Sequence, residues 1–350
     1  MKRFLPWAVL VAACLRPSEG HVELDDEVGR EMAAGSTLTI DGGLGAVRSL
    51  EAAAGTVWSA SPVLAVDLVP GATPFTLEVR NLPADAELVV DGVTVAPSAT
   101  PRPTVKVWTL DAGGRLRIAP PDSDTPGPHR VAVLSDIQSA VDEVQDIFGR
   151  MNQDPTIRFV VSTGDLTDNG TFDELTRIQD ELELLDVPLY STVGNHEVPG
   201  PENWHELFGP FSSYFEYRGI AYSLVDSSNA TVDPTELASL RTWVDAHEGE
   251  THLFLTHVPI FDYAGLRSGS FRSRNEAARL VNVLAEGDVD ALFFGHVHSY
   301  YAYGLGGIDA YISGGGGAIE EELDGIGRHY LAVDLDPAVG IEGVQMVRVD

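Results

Sequence analysis

Val131-Ala132-Val133-Leu134-Ser135-Asp136-Ile137-Gln138 is a run of four apolar residues that ends on polar ones. An unbroken apolar run of this length is the pattern of a strand covered on both faces. The same pattern recurs downstream. Phe159 to Ser162 leads into Gly164-Asp165, and Pro188 to Val193 into Gly194-Asn195-His196-Glu197. His252 to Thr256 leads into His257, and Ala291 to Phe294 into Gly295-His296-Val297-His298. Helical text fills the gaps. Asp142 to Met151 is one such stretch. Phe172 to Leu185 puts Phe172, Leu175, Ile178, Leu182 and Leu185 on one face. Asp233 caps a third helix with Pro234 at its first position, and a capping box over Ser273 to Glu276 opens a fourth that ends near Gly287. Strand and helix alternate, which predicts an α/β domain over 129–350.

Asp136, Asp165 and Asn195 stand about thirty residues apart, the length of one βαβ unit. Each unit therefore returns an oxygen or nitrogen donor to the carboxyl end of the sheet, where ligand sites gather in such folds. One Asp or His at a strand end is weak evidence. Five ends carrying such donors are strong evidence.

Upstream the pattern changes. From about Ser36 to Pro120 short alternating runs appear, such as Thr37 to Ile40, Val63 to Leu68, Phe75 to Val79 and Val105 to Leu110, separated by turn signals at Pro70-Gly71, Asp91-Gly92 and Gly113-Gly114. This predicts a small all-β domain over 36–120, an Ig-like sandwich, with no histidine and no visible chemistry. Residues 121–128 read as a linker and 15–35 as a polar, acidic tether. Lys2 and Arg3 precede an apolar stretch from Phe4 to Ala13 that is too short to span a bilayer. Val11-Ala12-Ala13-Cys14 resembles a bacterial lipoprotein signal, implying that 1–14 is a signal peptide and that Cys14, the single cysteine, is lipidated. The expected location is extracytoplasmic, periplasmic or cell-surface, with the membrane as a partner through Cys14.

The chain has 350 residues, is 44% hydrophobic and carries a formal net charge of −31. That length suits two domains. The charge opposes long-range attraction to nucleic acid, so no nucleic-acid partner is expected. One cysteine excludes an internal disulfide and a cysteine zinc site.

The series of strand ends resembles the signature of the calcineurin-like metallophosphoesterases, which runs Asp-x-His, Gly-Asp, Gly-Asn-His-Asp/Glu, His, Gly-His-x-His. The resemblance covers the C-terminal two-thirds of the chain, and the fold it implies is a metallophosphoesterase β-sandwich flanked by helices. It implies two divalent metal ions. Asp136, Gln138 and His298 would hold the first, Asn195, His257 and His296 the second, and Asp165 would bridge them. His196 would act as general acid over the substrate, with Glu197 orienting it. The implied reaction is in-line attack of a metal-bridging hydroxide on a phosphomonoester, phosphodiester or phosphoanhydride. Two divalent ions facing two carboxylates and a hydroxide stay about one charge positive, enough to attract phosphate on an acidic protein.

One block departs from the pattern: Asp136-Ile137-Gln138 has glutamine where the family has histidine. A neutral amide oxygen is a harder donor than imidazole, which favours Mn²⁺ over Zn²⁺, with Fe and Mg also open. This variant is similar to a branch of manganese-dependent ADP-ribose/CDP-alcohol diphosphatases. Asp168 stands where purple acid phosphatases carry an iron-binding tyrosine, which argues against that branch. Arg267, Arg272 and Arg274 form a locally basic group, and Arg272 and Arg274 are candidates to bind the phosphate of a small phosphorylated substrate. Trp204, Phe208, Phe211, Tyr214 and Tyr263 lie between motifs, where they would pack their loops or stack on a substrate. The Gly314 to Gly317 run lacks the lysine of a P-loop and reads as close backbone passage. The alternative to a hydrolase is a non-catalytic surface module that retains structural metals.

Overall fold

The computed structural model describes residues 17–265, 269–321 and 325–349. In the strand His129–Leu134, Ala132 and Leu134 face a helical layer while Val131 and Val133 face a second sheet, and all four are buried. Two faces to cover explain the unbroken apolar run. The helices described are α1 Pro17–Asp25, α2 Gln145–Asn152, α3 Phe172–Leu182, α4 Pro201–Leu207, α5 Pro234–Ala246 and α6 Arg274–Glu286.

From residue 129 onward the chain builds two sheets packed face to face. The first has the order Leu189–Ser191, Ile157–Ser162, His129–Leu134, His329–Asp336, Gly340–Arg348, with the first three strands parallel. The second has the order Ser213–Tyr217, Ile220–Val225, His252–Thr256, Ala291–Phe294, Ile308–Ser313, Tyr300–Leu305, with the four inner strands parallel. Phe159, Tyr190, Phe215, Tyr222 and Phe293 fill the space between the sheets. Helices α2, α3 and α4 cover the outer face of the first sheet, and α5 and α6 that of the second. The result is a helix–sheet–sheet–helix sandwich. The seven candidate metal ligands, with His196 and Glu197, follow the carboxyl ends of its parallel strands.

The strands before residue 120 form a six-stranded and a five-stranded sheet around one apolar core that includes Leu38, Val66, Phe75, Leu77, Trp108 and Ile118. The pairing begins at Arg30, because Arg30–Ala33 and Ser36–Ile40 form a hairpin. The expected boundary at 36 therefore falls inside it.

The expected tether at 15–35 is not one in its described part. His21 is buried and bonds Asp226 at 2.7 Å, while stacking on Phe211. Asp25 accepts from His205, from the Phe211 N–H and from the Ser212 N–H. Local polarity suggested a solvated segment, but the polar groups are partnered across some two hundred residues.

The linker at 121–128 is also pinned, through Arg218 to Asp122 and the Gly127 N–H to the Arg218 carbonyl. Two smaller expectations shift. The second helix starts at Gln145, and Phe172 at the head of α3 is 41% exposed. Ser273 caps α6 as expected, but Glu276 turns away to the Thr231 hydroxyl and the Val232 N–H, so the reciprocal half of that box is absent. Thr171 and Glu174 make a full capping box on α3 instead. Among the described residues no helix is long and apolar enough to cross a membrane. Cys14 and the rest of 1–14 lie outside the described residues.

Candidate metal centre

Each parallel strand stops where its chain must turn sharply, and the turns hold four site residues in left-handed backbone conformations: Asp136, Gln138, Asp165 and His296, with φ of 61°, 48°, 54° and 66°. Non-glycine residues enter this region only when their surroundings hold them there. The Ile137 and Gln138 N–H groups both donate to the Asp165 carbonyl, and the Asp136 N–H donates to the Gly164 carbonyl. Gly295 and Gly314 let two strand ends approach the Asp136 carboxylate, since a Cβ at either would stand 2.6 Å or 2.9 Å from Oδ2. Close passage is the expected purpose of the glycine run, and Gly314 serves it.

Asp165 lies at the middle. Its Oδ2 receives the Gln138 amide at 2.9 Å on one side and stands 3.2 Å from His257 Nε2 on the other. Around Gln138 are His298, 3.3 Å away, and Asp136, whose Oδ1 is 3.4 Å from His298 Nε2. Around His257 are Asn195 and His296. The Asn195 Oδ1 is met by His257 Nε2 at 3.0 Å and His296 Nδ1 at 2.8 Å. All seven candidate ligands thus converge as two clusters of three joined through Asp165. Ligand atoms of Asp165, His257 and His296 lie within 4.8 Å of one another.

Carbonyls behind the imidazoles fix which nitrogen faces the centre. His257 Nδ1 donates to the Thr163 carbonyl at 2.9 Å, and His298 Nδ1 to the Ile319 carbonyl at 2.6 Å. Both present Nε2 forward, in the orientation typical of metal-binding histidine. Ser135 donates to Asp136 Oδ2 at 2.6 Å.

Burial alone would raise Asp165, but the adjacent His257 overrides it and holds the carboxyl well below the carboxylate range. Burial likewise opposes a charge on His257, and Asp165 outweighs that, pushing His257 up to about 9. The anionic centre thus retains a proton on a buried imidazole. A divalent cation would displace such a proton, and this donor set fits one. The Gln138 amide turns its nitrogen toward Asp165 and His298. Rotation of the amide by half a turn would bring its oxygen, a cation ligand, to the same point.

Glu197 does not orient His196 as expected. Its buried carboxylate accepts from the Asp165 N–H at 3.0 Å, the Gly194 N–H at 2.8 Å, the Thr167 N–H at 2.9 Å and the Thr167 hydroxyl at 3.0 Å. It ties the turn carrying Asp165 to the turn carrying Asn195. Burial, reinforced by the Asp165 charge, pushes Glu197 up to about 7. His196 is held instead by Asp168, whose carbonyl accepts from Nδ1 at 2.7 Å, so that Nε2 stands 3.9 Å from Asp165 Oδ2. Asp168, Ser135, Thr163 and Thr167 were not singled out as site residues, although each adjoins a motif in the chain.

Arg272 and Arg274 are exposed at the approach to α6, with the Arg272 N–H on the Ala230 carbonyl. Arg267 lies outside the described residues. Trp204, Phe208 and Phe211 are core residues under the first sheet, and Tyr214 stacks on Trp243. Tyr263 alone of that group is well exposed, stacked on Tyr303.

Residues 129–300 match the family described as calcineurin-like phosphoesterase. Over 168 residues the chain is 30% identical to a "Probable glycerophosphodiester phosphodiesterase GpdQ" of Arcobacter nitrofigilis, across 42% of this chain and 59% of that protein. The match therefore spans less than two-thirds of the relative's length. Among solved structures, the purple acid phosphatase PPD1 from yellow lupin seeds aligns over 81% of this chain and 72% of its own, with a TM-score of 0.54 and 15% identity. PhoD aligns over 91% and 92%, with a TM-score of 0.50 and 12% identity. At such identities these two establish likeness of fold alone.

Proposed function

We propose that this chain, whose residues 129–300 match the calcineurin-like phosphoesterase family, is a metal-dependent hydrolase of phosphate esters or anhydrides. One observation carries the reading: Asp165 stands between two separate sets of three donors, an arrangement built for two cations sharing one carboxylate. The family uses a binuclear divalent centre. Asp136, Gln138 and His298 would hold one ion and Asn195, His257 and His296 the other, with Asp165 on both. The amide oxygens of Gln138 and Asn195 favour Mn²⁺ over Zn²⁺. When bound, such ions polarise phosphoryl oxygens and acidify water.

His196 supplies the proton. Its Nδ1–H is tied to the Asp168 carbonyl, so protonated His196 presents its Nε2–H above Asp165. As water oxygen bonds to phosphorus and the bond from phosphorus to the leaving oxygen breaks, that oxygen takes the Nε2 proton. Water's second proton goes to solvent, and His196 is then reprotonated. The buried Glu197 carboxylate keeps Asp165 and Asn195 in register throughout. Arg272 and Arg274 are proposed to meet the substrate phosphate. The ADP-ribose/CDP-alcohol diphosphatase branch rests on Gln138 alone.

The Ig-like sandwich of 36–120 is proposed as a domain that precedes the hydrolase, and Cys14 as a lipid anchor to a bacterial membrane. Cys14→Ser would then move the protein from the membrane to the soluble fraction.

The test is release of p-nitrophenol from mono- and bis-p-nitrophenyl phosphate with Mn²⁺, Mg²⁺, Zn²⁺ or Fe²⁺. Turnover is expected with Mn²⁺, and His196→Ala should lower it about 10²- to 10⁴-fold. No turnover with any of these ions would sink the hydrolase reading and leave a surface module with structural metals.

A further inference from the structure

The outermost strand of the first sheet, Leu189–Ser191, is short and leads through Thr192-Val193-Gly194 to the candidate ligand Asn195. The Val160 N–H donates to the Pro188 carbonyl at 2.8 Å, so the next N–H and C=O along the strand, those of Leu189, face away from the sheet. Leu189 is buried, so both groups need protein partners.

The partners come from the N-terminal sandwich. Asn81 donates from Nδ2 to the Leu189 carbonyl at 2.7 Å and accepts the Leu189 N–H on Oδ1 at 2.9 Å. Nδ2 also donates to the Ser59 carbonyl at 2.8 Å. Only one orientation of the amide satisfies all three, since the reverse would set its NH₂ against the Leu189 N–H. Asn81 is itself buried and stands in the left-handed region, with φ of 62°, which asparagine tolerates better than most side chains. One side chain thus takes the place of a neighbouring strand. The sandwich grips the same face elsewhere. Trp58 joins the core under the first sheet, edge-on to Phe208 at 5.7 Å, and Arg80 pairs with Glu183 at the end of α3.

We infer that the N-terminal sandwich is a supporting wall of the metal centre, and that Asn81 is a positioning residue acting through Leu189–Ser191 to set Asn195 for the second cation. The inference rests on the ligand role given to Asn195 above. Without the Asn81 amide, the buried N–H and C=O of Leu189 lose their partners and the edge strand loosens. Asn195 Oδ1 then loses its fixed place between His257 and His296.

Asn81→Gly keeps the backbone conformation and removes the amide. In metal-free protein the Thr192 N–H, which bonds the Ser162 carbonyl and not Asn81, should exchange with solvent about five- to a hundredfold faster than in wild type. With Mn²⁺, wild type should retain two ions after gel filtration and show the EPR spectrum of an exchange-coupled pair, whereas Asn81→Gly should retain one, with the spectrum of an isolated ion. Asn81→Asp gives a second test, because a protonated carboxyl donates and accepts as the amide does. Relative to wild type, its Thr192 protection should recover as pH falls from about 8 to about 5. Val244→Ala, in the core between the second sheet and its helices, should lower the melting temperature and move neither the exchange nor the ion count. A lower melting temperature in Asn81→Gly with Thr192 exchange and ion count unchanged would make Asn81 a merely structural contact and overturn the inference. Faster exchange with two coupled ions retained would overturn its link to Asn195. Fewer than two Mn²⁺ in wild type would overturn both this inference and the two-cation reading.

Discussion

Replacing Glu197 with glutamine separates two roles for this residue. The carboxylate accepts four hydrogen bonds through two oxygens. An amide of the same shape keeps one oxygen and turns an NH₂ toward the donors of the other. If that is Oε2, the Asp165 and Gly194 N–H groups lose their acceptor and face another donor. A buried N–H without a partner costs about 1–3 kcal/mol, so two cost about 2–6 kcal/mol. Part of this is offset because the neutral amide is not repelled by Asp165, the charge that helps raise Glu197. A net loss of about 2 kcal/mol lowers the melting temperature of a domain of this size by about 4–8 °C. The turns bearing Asp165 and Asn195 then loosen, and a misplacement of about 1 Å in such a site costs on the order of a hundredfold in rate. The assay is a double-mutant cycle on p-nitrophenyl ester turnover with Glu197→Gln, His196→Ala and the double variant. If Glu197 holds the turns, its loss should multiply with that of His196. A double variant no slower than His196→Ala alone would refute the reasoning, because Glu197 would then act only through His196.

Gln138→His should shift the preference of the centre toward Zn²⁺, read as the metal retained after dialysis against an equimolar mixture of Mn²⁺ and Zn²⁺, and an unchanged metal ratio would count against the ligand role of Gln138. The N-terminal contact should titrate. Burial lowers His21, but its hydrogen bond and charge pairing with Asp226 more than compensate, so its pKa in the folded protein is raised above 6.5. Its stabilisation is full below about 6.5 and is lost as pH rises through the folded value. Thermal midpoints of metal-free protein should fall over that window in wild type and fall less in His21→Gln, and parallel curves would refute the assignment.

The sites of the parallel strands and the α/β class were legible, and the seven ligand candidates could be proposed, because each depends on a few adjacent residues. A strand covered on both faces must be apolar throughout, and the donor must follow it directly, as in Leu134-Ser135-Asp136 or Phe294-Gly295-His296. The capping signals at Asp233 and Ser273 are local for the same reason.

What tertiary structure decided is which polar group meets which. Residues 15–35 read as a tether because nothing nearby in the chain partners His21 or Asp25, whereas the fold delivers Asp226 and His205. Trp204 and Phe211 belong to a loop in sequence and to the core in space. Glu197 follows His196 directly, which suggested that one serves the other. In the folded chain the carboxylate turns inward to the N–H groups of Asp165 and Gly194, and His196 finds the Asp168 carbonyl. Sequence by itself determined which residues reach the sheet edge, since strand length and periodicity are local quantities. Only three-dimensional packing assigned their partners, because buried donors take the nearest acceptor in space, however distant it is along the chain.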